Sequence, residues 1–209
     1  MSQEISIGKF ITLRPLKILE FLAFIVFAVY LISSANSNIA PPDISQQPAY
    51  VREYETLQKT FQVKYAKEPF PSEQYEKVVV TRIVDGDTIR VTRANGDEAA
   101  VRYIGIDTPE IDRSEAQNHD PFALEAQRLN EYLVSDKTVY LLADSQDTDK
   151  YGRLLRYVYT EDGIFVNHAL IRLGLAQLLT IPPNVAYQPD FYEAQQQAIS
   201  ERLYLFQSY

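Results

Sequence analysis

The fold class this sequence predicts is mainly β with helices: a small five-stranded barrel carrying three helices. Three observations point to it. Short runs of β-branched and aromatic residues recur from Lys77 onward, turn dipeptides separate them, and three apolar stretches at helical spacing are interleaved among the later ones. The 209 residues, 46% hydrophobic and 12% aromatic, suffice for one well-buried domain plus a substantial extra segment.

Each element has a local cause. K-V-V-V-T-R-I-V starts at Lys77, Asp85-Gly86 turns the chain, and D-T-I-R-V-T-R returns it. Asn95-Gly96 marks a second turn before E-A-A-V-R-Y-I-G-I, which Pro109 of Asp107-Thr108-Pro109-Glu110 brings to an end. After a loop, Asp120-Pro121 predicts an N-cap and a first-turn proline, with Phe122, Ala126, Leu129 and Leu133 along one face of the helix they open. Strands T-V-Y-L-L-A at 138–143 and L-L-R-Y-V-Y at 154–159 follow. Val166, Leu170 and Leu173 predict a helix that Gly174 terminates, and Phe191, Ala194 and Ala198 predict a last one. An OB-type barrel with three helices accommodates this order, although the pattern does not dictate which strands pair.

Upstream of this 77–209 domain the texture differs. Residues 1–17 carry Lys9, Arg14 and Lys17, residues 18–35 are apolar apart from Glu20, and the next basic residue is Arg52. That asymmetry predicts a cytoplasmic N-terminal segment and export of everything downstream. An uncleaved single-pass transmembrane signal anchor at 18–35 is expected, holding the domain outside the cytoplasm. A signal peptide cut near Ser33 and Ala35, giving a secreted protein, is the alternative. Residues 36–76 read as a proline-punctuated linker, with Tyr54, Leu57, Phe61 and Tyr65 at the spacing of a short amphipathic helix. That helix is expected to be a stalk, the alternative being a helix that sits against the domain or mediates contacts.

Composition excludes several chemistries. With no cysteine there is neither a disulfide framework nor a thiolate metal site. His119 and His168 alone cannot furnish a histidine-based metal centre, which leaves hard cations bound by oxygen. Both histidines are expected to be structural or solvated. The net charge of −8 argues against a broad basic surface for nucleic acid. Of the 20 basic and 28 acidic residues, three (Lys9, Arg14, Lys17) and two (Glu4, Glu20) fall in the first 35, so the remainder carries 17 and 26, a net of −9.

Three segments concentrate the candidate chemistry: V-D-G-D-T-I-R-V at 84–91, V-R-Y-I-G-I-D-T-P-E at 101–110, and D-T-D-K-Y-G-R at 147–153. Asp87, Asp107 and Glu110 offer carboxylates, and Arg102 and Arg153 offer permanent positive charge, all at or near strand ends where a barrel mouth would gather them. Phosphodiester hydrolysis needs that inventory: a cation against the phosphoryl oxygen, a carboxylate for the attacking water, and guanidinium forks matched to phosphate oxygens. Strict alternation would put Arg102 and Asp107 on opposite strand faces, so the chain must twist or bulge, and Gly105 is the place for it. The run Asp147-Thr148-Asp149 is not an EF-hand loop, because Tyr151 and Val158 occupy positions where oxygen ligands belong.

With D-G-D-T, R-x-x-x-x-D-T-P-E and D-K-Y-G-R in this order, residues 77–206 resemble the thermonuclease (staphylococcal-nuclease-like) family. The resemblance implies an OB-fold barrel and Ca²⁺ held by the carboxylates of Asp87 and Asp107 beside the Thr108 carbonyl. It implies Glu110 as general base, with Arg102 and Arg153 bracing the phosphate, and hydrolysis of DNA and RNA to 3′-phosphate products. Asp85 would support the metal ligands, and Lys150 and Tyr151 would touch substrate. A monomer is expected, with no protein partner to infer. Two departures stand out: T-I-P-P-N-V at 180–185 replaces the tyrosines the family places near the nucleotide, and the loop 111–120 is acidic. They raise an alternative, an OB-fold module that binds nucleic acid or protein with little or no turnover.

Overall fold

The structure, a computed structural model, describes residues 48–52, 54–56, 73–111 and 120–208, all within the unit Gln47–Tyr209. The 18–35 segment with Ser33 and Ala35, the positions Leu57, Phe61 and Tyr65, and His119 lie outside the described residues. Among the described residues no helix is long and apolar enough to cross a membrane.

From residue 73 onward the described elements run β1 (Tyr75–Ile83), β2 (Thr88–Thr92), β3 (Glu98–Tyr103), β4 (Ile106–Asp107), α1 (Ala123–Val134), β5 (Thr138–Leu142), β6 (Leu154–Thr160), α2 (Val166–Arg172), β7 (Gln177–Leu178) and α3 (Gln188–Ser200). Five of the strands close into a barrel in the order β1-β2-β3-β6-β5. All its pairings are antiparallel except β3 with β6, which is parallel. In β1, Val78 and Val80 face inward while Lys77 and Val79 face solvent, the period of two that a half-covered strand requires. The alternation breaks at Thr81. Val80 pairs with Val91 and Arg82 with Arg90, so Thr81 is one residue extra, and this bulge bends β1 so that it pairs with β2 on one edge and β5 on the other.

Val78, Val80, Ile89, Val91, Val101, Val139, Leu141 and Val158 belong to one buried apolar cluster centred on the barrel. At roughly 1.5–3 kcal/mol for each fully buried aliphatic side chain, this cluster is the main favourable contribution to the fold. Strand β6 is almost wholly buried, in contrast to β1, because α2 packs against it and α3 packs on α2. Tyr157, Phe165, Tyr187 and Phe191 fill the layer between, with Tyr157 and Tyr187 edge to face at 4.6 Å. All seven residues of α2 are buried, so its polar members need partners. The Asn167 amide accepts from the Val158 N–H at 2.9 Å and donates to the Ile104 carbonyl at 2.9 Å. Arg172 forms a two-pronged pair with Glu201 at 2.6 and 2.9 Å. His168 is buried beside Phe165 and Phe191, the structural role expected of it.

Two expectations are corrected. Helix α1 buries Ala126, Leu129 and Leu133 as its spacing predicts, but Asp120 is not its N-cap. The cap is Phe122, at φ 67°, whose ring meets Tyr204 edge-on at 5.6 Å. Asp120 accepts the Ala123 N–H through its carbonyl, and its carboxylate accepts the Glu110 N–H instead. The second concerns the linker. Residues 49–52 and 54–56 are helical, and Tyr54 is buried with its ring edge-on to Tyr132 of α1 at 5.9 Å. This stretch is seated on α1, the alternative reading, and does not stand off as a stalk.

Gly105 makes the turn between β3 and β4. Its φ is +80°, and a Cβ there would lie 2.5 Å from the Phe191 ring. Gly105→Ala is expected to lower stability by about 2–4 kcal/mol, combining the left-handed backbone with overpacking. Urea unfolding of the two proteins checks this; a difference under about 0.5 kcal/mol would mean the turn tolerates a side chain.

Candidate active site

At one end of the barrel the start of β2, the end of β3 and the start of β6 come together. Asp87 follows the β1–β2 turn, and its carbonyl accepts the Tyr103 N–H at 2.9 Å, extending the β2–β3 ladder by one rung. The turn has little room: a Cβ on Gly86 would lie 2.7 Å from the Thr108 side chain. Asp85 braces it, its Oδ1 accepting the Asp87 N–H at 3.2 Å and its carbonyl accepting from Asn130 Nδ2 at 3.0 Å. Buried Asn130 also accepts the Tyr103 hydroxyl at 2.8 Å, so α1 is tied to both strands beneath the site.

The Asp87 carboxylate is fully buried, and an ion there must be satisfied on every side. The Thr108 N–H donates to Oδ2 at 2.9 Å, the Thr88 hydroxyl donates to Oδ1 at 3.1 Å, and Arg102 Nη1 donates to Oδ1. The same guanidinium reaches Asp107 Oδ1 through Nη2 at 2.5 Å and the Ile106 carbonyl at 3.3 Å. Arg102 and Asp107 therefore meet despite their sequence parity. Strand β3 ends at Tyr103, Gly105 turns the chain, and Asp107 arrives on β4, which pairs with β7. This two-stranded sheet was not foreseen.

Parallel pairing of β3 with β6 sets Val101 opposite Leu154, so Arg102 and Arg153 line the same groove. The groove measures about 400 Å³ and also presents Lys150, Tyr151, Leu179 and Ile181. Tyr151 is 72% exposed, with Lys150 Nζ 4.9 Å and the Arg153 guanidinium carbon 5.6 Å from its ring centre. The wall carrying Ile181 is pinned by side chains. Asn184 exchanges two hydrogen bonds with the Gln146 backbone at 2.7 and 3.1 Å, and Asp144 accepts the Ala186 N–H at 3.1 Å. Glu110 stands apart from the arginines. It is exposed and lines an adjacent cavity with Asp107, Thr108 and Asp120.

Of the nine residues singled out by sequence, Asp85, Asp87, Arg102, Asp107 and Thr108 form one hydrogen-bonded cluster, and Lys150, Tyr151 and Arg153 share the groove beside it. Among the described residues no three acidic or histidine side chains converge as a metal cage. Asp87 and Asp107 nevertheless face a common positive group, and with backbone or water oxygens they suit a hard cation that takes six to eight oxygen ligands. Sequence reasoning missed Asp149, Asn130 and Asn184. Only the first left a signal, an Asp four residues before an Arg in a Gly-containing turn.

Fold and site together define an OB-type barrel domain with a carboxylate and arginine centre at its mouth. The sequence model of the family described as staphylococcal nuclease homologue matches residues 100–208, and the chain belongs to that family. Asp85 and Asp87 lie upstream of the matched span and complete the same site. The chain is 42% identical over 128 residues to the SPbeta prophage-derived endonuclease YokF of Bacillus subtilis, covering 60% of this chain and 42% of that protein. It is 39% identical to endonuclease YncB of the same organism, covering 60% and 59%. To the thermonuclease of Staphylococcus intermedius it is 34% identical over 132 residues, covering 63% and 77%. The match thus spans about half the length of the two Bacillus relatives.

Burial pushes the Asp144 carboxyl up, but hydrogen bonds from Ala186, Tyr157 and Ser145 outweigh it and hold the group below its ordinary value. A carboxyl depressed in the folded state stabilises above its unfolded pKa, near 4, and that contribution fades as pH falls toward the folded value. Asp144→Asn is expected to flatten the loss of stability between about pH 5 and pH 3. Denaturant midpoints across that range would show it, and an unchanged slope would exclude Asp144 as a contributor.

Proposed function

We propose that this chain is a calcium-dependent phosphodiesterase that hydrolyses DNA or RNA to products bearing 3′-phosphates. The observation that carries the proposal is a groove lined by both Arg102 and Arg153, with Arg102 bridging the Asp87 and Asp107 carboxylates beside it. Family membership, and the names endonuclease and thermonuclease borne by the relatives, support the same reading.

In this reading the phosphodiester lies along the groove, with its oxygens on the Nη edge of Arg153, whose planar fork suits paired phosphate oxygens. They lie beside the charge of Arg102, whose terminal nitrogens are held by Asp87 and Asp107. Asp87, Asp107 and the Thr108 carbonyl would hold the calcium ion, which when bound would supply positive charge against the phosphoryl oxygen. Glu110 takes the proton of the attacking water from its own cavity, next to Asp107. The new P–O bond forms as the bond to the 5′-oxygen breaks, that oxygen leaves as an alkoxide that takes a proton from solvent water, and the phosphate stays on the 3′ side. Both arginines stabilise the charge that builds on the phosphorus-bound oxygens, because a guanidinium stays charged at neutral pH. Lys150 and Tyr151 contact the strand beside Arg153, and Asp85 keeps Asp87 in place.

We further propose that residues 18–35 act as the membrane anchor or export signal, that residues 36–76 connect it to the nuclease domain of residues 77–209, and that the protein acts outside the cytoplasm as a monomer. A net charge of −9 beyond residue 35 leaves few phosphate contacts beyond those at the groove, so substrate binding is weak.

Incubating the full-length chain with plasmid, single-stranded DNA and RNA, in calcium or in chelator, tests the reading. Calcium-dependent cleavage at low salt is expected, and its absence on all three substrates would sink the proposal. Glu110→Ala and Arg153→Ala should each lower kcat/KM by at least about 100-fold. Parent-like rates in both would show that the site lies elsewhere.

A further inference from the structure

We propose that Asp149 is the positioning residue that aims Arg153 into the groove, an inference that rests on reading the groove as a phosphodiester site. The acidic run 147–149, unsuited to calcium, is divided between two arginines. Asp147 accepts Arg156 Nη2 at 2.7 Å, and Asp149 accepts Arg153 Nε at 2.7 Å.

The two oxygens of Asp149 do different work. Oδ1 accepts the N–H groups of Tyr151 at 2.9 Å and Arg153 at 3.0 Å. The Asp149 backbone completes the turn, its carbonyl accepting the Gly152 N–H at 3.1 Å and its N–H donating to the Arg153 carbonyl at 3.0 Å. Oδ2 is left for the guanidinium, and it engages Nε only. That choice of edge matters. A guanidinium held at Nε keeps its far edge, Nη1 and Nη2, clear for a phosphate, and no described residue accepts a hydrogen bond from either Nη of Arg153. Arg102 is the opposite case, with both terminal nitrogens on carboxylates.

Arg153 is therefore oriented before a ligand arrives. A long side chain fixed in this way need not be ordered on binding, and a displacement of about 1 Å at such a group can cost on the order of 100-fold in rate. The Asp149 carboxyl sits below its ordinary value: burial pushes it up, and its hydrogen bonds with Arg153 and Tyr151 outweigh that. It is thus an anion throughout the neutral range.

The substitution that isolates this role is Asp149→Asn, which keeps an oxygen for the turn but turns an amide N–H toward Nε–H. On the full-length chain with calcium, kcat should fall about 30- to 100-fold while KM changes less than about threefold. In an Arg153→Ala background the same substitution should have under about a twofold further effect. An equal loss in both backgrounds, or a parent-like rate for Asp149→Asn where Arg153→Ala is impaired, overturns the proposal while leaving the site reading intact. Failure of the parent to cleave, by contrast, overturns the site reading. A readout independent of turnover is the ¹⁵N resonance of Arg153 Nε–H, assigned by its loss in Arg153→Lys. It should be resolved and slow to exchange in the parent and averaged in Asp149→Asn. An averaged signal in the parent would refute the proposal even if the variant fails to fold.

Discussion

The Arg102 guanidinium is shared between two carboxylates that reach it from different parts of the chain, and the architecture around the site follows from that sharing. Asp87 is buried at the foot of β2 and Asp107 is half-exposed on β4, yet both meet terminal nitrogens of one side chain. Burying Asp87 without a cation would carry a desolvation penalty of several kcal/mol, which the guanidinium, the Thr108 N–H and the Thr88 hydroxyl together offset. Bringing Asp107 to the same point requires the chain to leave the barrel and turn at once. Gly105 permits this, and the short β4–β7 sheet, with the Gly105 carbonyl accepting the Leu179 N–H at 3.0 Å, holds the result.

The barrel supplies the rest of the placement. Its one parallel pairing, β3 with β6, lays the start of β6 along the second half of β3, which is how two arginines 51 positions apart come to share a groove. Around this frame, buried amides do the tying. Asn167 joins β6 to the backbone just before Gly105, Asn130 joins α1 to the Asp85 turn, and Asn184 holds the wall that carries Ile181. Each replaces a stretch of ladder with two directed hydrogen bonds, so loops that carry side chains into the groove are fixed without being strands. The placement also separates the basic groups from some of the carboxylates. Lys150, Arg153 and Arg102 line one groove together with Asp149, while Glu110 and Asp120 line the neighbouring cavity.

Much of this is legible in the residues. Asp85-Gly86, Asn95-Gly96 and Gly105 mark turns because a tight backbone leaves few alternatives, and the run of β-branched residues Val78-Val79-Val80-Thr81 announces a strand. The spacing of Ala126, Leu129 and Leu133 gives the buried face of α1, since helical period alone decides which residues share a side. Asp120 shows where such reasoning fails. Its capping preference is local and worth about 1 kcal/mol, too little to hold it against a tertiary partner, the Glu110 N–H, and the packing of Phe122 on Tyr204.

What the sequence determined by itself is the inventory of the candidate site, two carboxylates, a third close by, two arginines and the glycine between them, together with the barrel strands and the helices, though not the short β4 that carries Asp107. Those depend on short-range chemistry: residue type, alternation and backbone freedom. Which strands are neighbours, that one guanidinium bridges Asp87 and Asp107 while the other is held by Asp149 at its near edge, and that Glu110 opens onto a cavity of its own were decided only in the tertiary structure. They depend on pairings across long separations and on which side chains compete for the same donors, and no local pattern encodes either.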